Sequence, residues 1–148
     1  MFNAYLKPHY HFLGDSRIID NMNKNNFEKL VKEGIMAIPK KFLRKLDNVA
    51  IVIENEPTSA QKEKLNIRSN WTLLGLYEGV SQVRRGANYN AVLPDKITIF
   101  QRPIEREARS KEDLKEIVKN TVWHEIAHHF GMSETQVRQA EIKRLKKS

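Results

Sequence analysis

The spacing of apolar residues divides the chain into stretches of two kinds. From position 25 onward Phe27, Leu30, Val31, Ile35 and Ile38 recur at steps of three and four, the period of a helix with one buried face. Asn25 or Asn26 can cap it, and Glu28 suits its first turn. Pro39 interrupts that ladder and opens a new turn carrying Phe42, Leu43 and Leu46. Residues 49–53, V-A-I-V-I, form a continuous apolar run of the kind that fills an interior strand, and Pro57 closes it. The polar, lysine-rich stretch 58–70 holds a short helix after Ser59, its charges facing water.

Residues 71–77 read as a second strand, in which Gly75 marks a place where a neighbour must come close. Residues 79–95 carry no period, and a loop of that length in a small domain is usually functional or unstructured. Arg84, Arg85 and Tyr89 within it read as ordinary surface. A third strand covers 96–100, with Pro103 close behind, which favours an edge position because proline cannot donate to a ladder. Residues 105–109 read as a charged connector. Ser110 with Asp113 three residues later forms a capping box, and Leu114, Ile117, Val118 and Val122 give the following helix its core stripe.

The last turns of that helix change character. Val122, Trp123, Ile126, Ala127 and Phe130 make it apolar all round, as in a buried helix, yet His124, Glu125 and His128 stand among them. Buried polar groups are costly without partners. The pattern H-E-x-x-H offers one, because residues four apart stack on one face and two imidazoles there can share a zinc ion at about 2.0–2.1 Å. Glu125 then flanks the metal as the general base for a water whose pKa zinc lowers to about 7. His129 points about 100° away from His128 and reads as packing or surface.

Gly131 follows as a left-handed cap that lets the chain reverse. Ser133 with Gln136 reads as a second capping box, placing Glu134 in the first turn of a helix returning toward the histidines. Glu134 is the expected third ligand, with Glu141, two turns further along, as the alternative. One coordination position stays open for water.

Composition narrows the class. At 148 residues the chain suits one domain. Apolar runs fall well short of the roughly 18 residues of a membrane span. Lys7, Pro8, His9 and His11 break up any signal-peptide core. The absence of cysteine excludes disulfides and thiolate ligands and suits a cytoplasmic protein. The net charge of +8 is spread along the chain, and Lys143, Arg144, Lys146 and Lys147 suit a helix C-terminus. Aromatic residues interleave poorly with the basic ones, so neither nucleic acid nor membrane is an expected partner. Residues 1–23 lack sustained periodicity. They read as an N-terminal extension, disordered or not native, ahead of a single domain at 24–148, with His9 and His11 in a polar tail.

Residues 121–134, with L-L-G-L-Y-E-G at 73–79 and L-P-D-K-I-T-I-F-Q-R-P-I at 93–104, resemble the small bacterial zincin-like metallopeptidases. The resemblance runs over about residues 27–139 in that family's order. It implies an α+β minimal zincin fold, a few helices around a small three- to four-stranded sheet, with the H-E-x-x-H helix at its centre. It also implies one Zn2+ ion on His124, His128 and Glu134, Glu125 as the catalytic base, and a peptide or protein substrate. The family's third ligand is usually an aspartate, so Glu134 keeps the charge and lengthens the reach. Zincins present an exposed strand edge to substrate, a role the resemblance gives to 97–102, with Arg102 the nearest candidate to stabilise an oxyanion. The spacing also echoes the metzincins, but fourteen residues follow Glu134, too few for their Met-turn, and Met132 lies inside the motif. A rival expectation is a zinc-stabilised binding module with little or no turnover.

Overall fold

A computed structural model describes residues 2–8, 22–46, 48–79 and 94–146. In chain order they form β1 (Phe2–Pro8), α1 (Lys24–Met36), α2 (Lys40–Leu43), β2 (Val49–Glu54), α3 (Ser59–Lys64) and β3 (Trp71–Glu78). After these come β4 (Asp95–Phe100), α4 (Gln101–Glu107), α5 (Lys111–His129) and α6 (Glu134–Lys146). Among the described residues the strands make one mixed four-stranded sheet in the order β1-β3-β4-β2. The class is α+β, as expected.

The order of strands corrects two expectations. β4 lies inside the sheet, antiparallel to β3 and parallel to β2, and all of its residues except Lys96 are buried. Pro103 does not mark an edge there. It falls in the first turn of α4, where a helix has no use for its amide hydrogen. β2, an interior strand by its sequence, is an edge strand, half-buried throughout and paired to β4. A continuous apolar run does not distinguish the two positions, because one covered face and one partner already suffice to bury it in part.

The N-terminal residues are a third correction. Residues 2–8 belong to the sheet as β1, antiparallel to β3, with Tyr5 opposite Gly75 and a bulge between Tyr5 and Leu6. The stretch alternates after all: Tyr5 packs against the main core, while Ala4 and Leu6 pack against Leu73, Leu76 and Phe100 on the other face. Residues 9–21, with His9 and His11, lie outside the described residues, as do 80–93 with Arg84, Arg85 and Tyr89. The charged connector is also replaced. Residues 101–107 form α4, tied to the start of α1 by Gln101 Nε2 donating to the Met22 carbonyl (2.7 Å) and the Met22 amide donating to Glu105 (2.8 Å).

The helices open on local side-chain caps, some of them displaced from the positions expected. Asn23, rather than Asn25 or Asn26, caps α1, its side chain accepting from the Asn26 amide at 2.8 Å. Thr58 and Gln61 form a full capping box on α3. Ser110 accepts from the Asp113 amide at 3.0 Å to open α5. That helix packs on α1 and lies across β3, β1 and β4. Leu114, Ile117, Val118, Val122 and Ile126 bury against Phe27 and Val31 of α1 and Leu74, Tyr77, Ile97 and Ile99 of the sheet.

Gly75 sets how close helix and sheet come. A Cβ at that position would stand 2.9 Å from Thr121 Cγ2 and 3.0 Å from both Cγ and Oε1 of Glu125. The close approach expected of Gly75 is therefore made by the helix that carries the histidines. Arg106 of α4 makes a two-pronged ion pair with Glu56, just past the end of β2. That hydrogen bond is the main reason the Glu56 carboxyl sits below its ordinary range and the Arg106 guanidinium above its own.

Two outcomes follow. Gly75→Ala overpacks the α5–β3 contact and lowers stability by about 1–3 kcal/mol. In a thermal melt that is a drop of roughly 3–10 °C for a domain of this size. An unchanged melting temperature would mean that strand and helix separate there at no cost. Arg106→Ala removes a half-exposed pair, worth at most about 1 kcal/mol after solvent screening. A depressed carboxyl contributes stability above its unfolded-state pKa and loses it as pH falls through the folded-state value. The stability gap between wild type and Arg106→Ala, followed by denaturant titration, therefore closes on acidification below the ordinary carboxylate range.

Candidate metal centre

α5 is long enough to carry both a core stripe and a polar cluster, and it ends where the cluster ends. Phe130 is its C-cap, and Gly131 takes the left-handed conformation at φ 74°, with its amide donating to the His128 carbonyl at 2.9 Å. The Met132 amide reaches back to the Ala127 carbonyl at 3.1 Å. Ser133 and Gln136 then exchange side-chain and backbone hydrogen bonds (2.8 and 3.2 Å), the second capping box read from the sequence. α6 starts at Glu134, as expected. The side chains of Glu134 and Glu141 lie outside the described residues.

Within α5 the structure brings His124, Glu125 and His128 together in the core. His124 and His128 are each 4% exposed and Glu125 is fully buried. The two imidazole rings stand 6.4 Å apart between centroids, one helical turn from each other. His124 is held on two sides. Its Nδ1 lies 3.2 Å from the Asn120 carbonyl, and the Tyr5 ring stacks on it at 4.0 Å and 14°. A carbonyl oxygen only accepts, so Nδ1 is the donor there and Nε2 is the nitrogen a metal would take. A histidine ligand secured through its other nitrogen is how proteins orient imidazoles toward a metal.

Glu125 faces the sheet side of α5, its carboxylate against the backbone of β3 at Gly75. The donor chemistry, two imidazoles with a carboxylate one residue from the first, suits a borderline cation such as zinc. Among the described residues no three histidine, aspartate or glutamate side chains group as a complete metal cage.

Other expectations resolve differently. His129 is packing rather than surface. It is fully buried, its Nδ1 stands 3.1 Å from Asp95 Oδ2, and the same oxygen accepts from the Tyr77 hydroxyl at 2.8 Å. Arg102 donates to Glu105 at 2.8 Å in α4, so its guanidinium is engaged there rather than poised for an oxyanion. The edge role given to 97–102 also fails, because β4 is paired on both sides and residues 101–102 are helical. Sequence reasoning misses Tyr5 and Asp95 as neighbours of the site. Two adjacent histidines in an all-apolar turn signal that both need partners, and the H-E-x-x-H pattern supplies one only to the first.

The family model described as a zincin-like metallopeptidase matches residues 46–144, which takes in β2, β3, β4 and all of α5. A search among curated proteins finds no match. A solved structure titled as a conserved hypothetical protein from Thermo thermophilus is 23% identical, with a TM-score of 0.49. The alignment covers 74% of this chain and 94% of that one. Among the described residues no helix is long and apolar enough to cross a membrane. With most of its length matched by that model, the chain belongs to the family of zincin-like metallopeptidases.

Proposed function

We propose that the protein is a zinc-dependent peptidase in which His124 and His128 hold the ion and Glu134 supplies the third ligand. One observation carries the reading: a fully buried glutamate beside two imidazoles that share a helix face, the first with Nδ1 already engaged. When bound, zinc supplies Lewis acidity toward a carbonyl group and toward water. Glu125 would take a proton from water as its oxygen adds to the peptide carbonyl, and would give that proton to the amine as the C–N bond breaks. Asn120 and the Tyr5 ring keep the His124 imidazole from turning.

The same reading moves the substrate edge from 97–102 to β1. That strand is at the end of the sheet, and its Tyr5 already touches His124. An extended peptide laid along its outer side gains backbone hydrogen bonds, with side-chain pockets setting preference. A second reading, a zinc-stabilised binding module with little turnover, draws on the depth of Glu125, which is closed from solvent in this structure.

Glu125→Gln keeps the ion and loses hydrolysis by about 10²–10⁴-fold, measured on a peptide library with protein purified without an affinity tag. His128→Ala loses the ion itself, measured by metal analysis. Equal cleavage by Glu125→Gln and wild type sinks the mechanism. One zinc per wild-type chain, a melting temperature lowered by chelator and no cleavage of any peptide would select the binding module.

A further inference from the structure

The buried Asp95 carboxylate lies outside the H-E-x-x-H turn yet is joined to it. Its Oδ2 receives the Tyr77 hydroxyl at 2.8 Å and His129 Nδ1 at 3.1 Å, and Asp95 and His129 are 2% and 0% exposed. The Asp95 amide donates to the Asn48 carbonyl at 2.9 Å. Room for the carboxylate depends on Gly79, where a Cβ would come within 2.9 Å of Asp95 Cβ and closer still to the carboxyl atoms. The end of β3, the start of β4 and the last turn of α5 therefore meet on one acidic side chain.

His129 directly follows His128 and is the final residue of α5. A last helical turn is where backbone carbonyls run out of partners and fraying begins. The Tyr77 and Phe130 rings meet the His129 ring edgewise at 5.9 and 5.3 Å and fix its plane, while Asp95 fixes its direction. A turn pinned at position 129 has little freedom at position 128.

We infer that Asp95 is a positioning residue for the metal centre: by gripping His129 it holds the α5 turn that presents His128. The inference rests on the zinc reading above and adds a residue from another strand to it. Asp95 does not touch the ion. Its effect passes through the helix backbone, so it appears as affinity and ligand-field geometry rather than as loss of a ligand.

The test is zinc affinity of the full-length chain, by competition with a chromophoric chelator, with the visible spectrum of the Co2+ form as a second readout. Asp95→Ala and His129→Leu break the grip and weaken zinc binding by about 10–100-fold, the range seen when outer-shell partners of metal ligands are removed. Their Co2+ absorption bands shift and broaden. Asp95→Asn and His129→Asn each keep a donor and acceptor at that place and stay much nearer wild type, within about threefold. Ile117→Val, two turns or more up the same helix, lowers the melting temperature without moving affinity or spectrum. Should Asp95→Ala fail to fold, His129→Leu against His129→Asn carries the same comparison. If wild type binds one zinc and Asp95→Ala or His129→Leu binds it equally well, or if Ile117→Val weakens binding as much, Asp95 has no positioning role. If wild type itself binds no zinc, the zinc reading fails first and the inference falls with it.

Discussion

A strand backbone and a helix meet at Gly75 without a side chain between them, and the sheet register and the helix position are decided there together. Tyr5 of β1 and Ile99 of β4 pair with this glycine from its two sides. Thr121 and Glu125, one turn apart on α5, sit over it. Ordinary helix–sheet packing leaves about 10 Å between layers, set by interdigitating side chains. Removing one of them draws the helix in locally, so Glu125 reaches the strand and the Tyr5 ring reaches His124. An acid and three imidazoles along one helix are then buried.

Such a helix is demanding chemically. α5 places Thr121, His124, Glu125, His128 and His129 in the core among apolar neighbours. Each buried polar group left without a partner costs on the order of 1–3 kcal/mol, and more when charged. The protein meets this demand with ties within α5 and to β1 and β4. The Thr121 hydroxyl donates to the Ile117 carbonyl at 2.7 Å, His124 uses Asn120 and Tyr5, and His129 uses Asp95. These ties also orient the imidazoles.

Much of this is readable from the chain. The capping box at Ser133, the reversal at Gly131 and the close approach at Gly75 each rest on local stereochemistry that few residue types satisfy, and all are found. At Ser110 half of the expected box forms: the hydroxyl accepts from the Asp113 amide, while the Asp113 carboxylate takes the Arg109 amide instead. Strand order is not readable, because V-A-I-V-I and D-K-I-T-I-F carry similar apolar runs while one is an edge and the other is central. What separates them is the tertiary environment on each side, which periodicity does not encode. β1 escapes notice because its alternation is brief and interrupted by Lys7 and Pro8, and because its partner is far along the chain. The Asp95–His129 tie joins residues 34 apart, so no local pattern announces it.

The antiparallel pairing of β1 with β3 has a consequence for synthesis on the ribosome. Tyr5 and Gly75 are 75 − 5 = 70 positions apart. At translation rates of about 5–20 residues per second, the first strand emerges roughly 4–14 s before its partner exists. His124, on which Tyr5 finally rests, is made later still. Pairing of β1 therefore waits until β3 has been made, and the contact of Tyr5 with His124 waits longer, until α5 has followed.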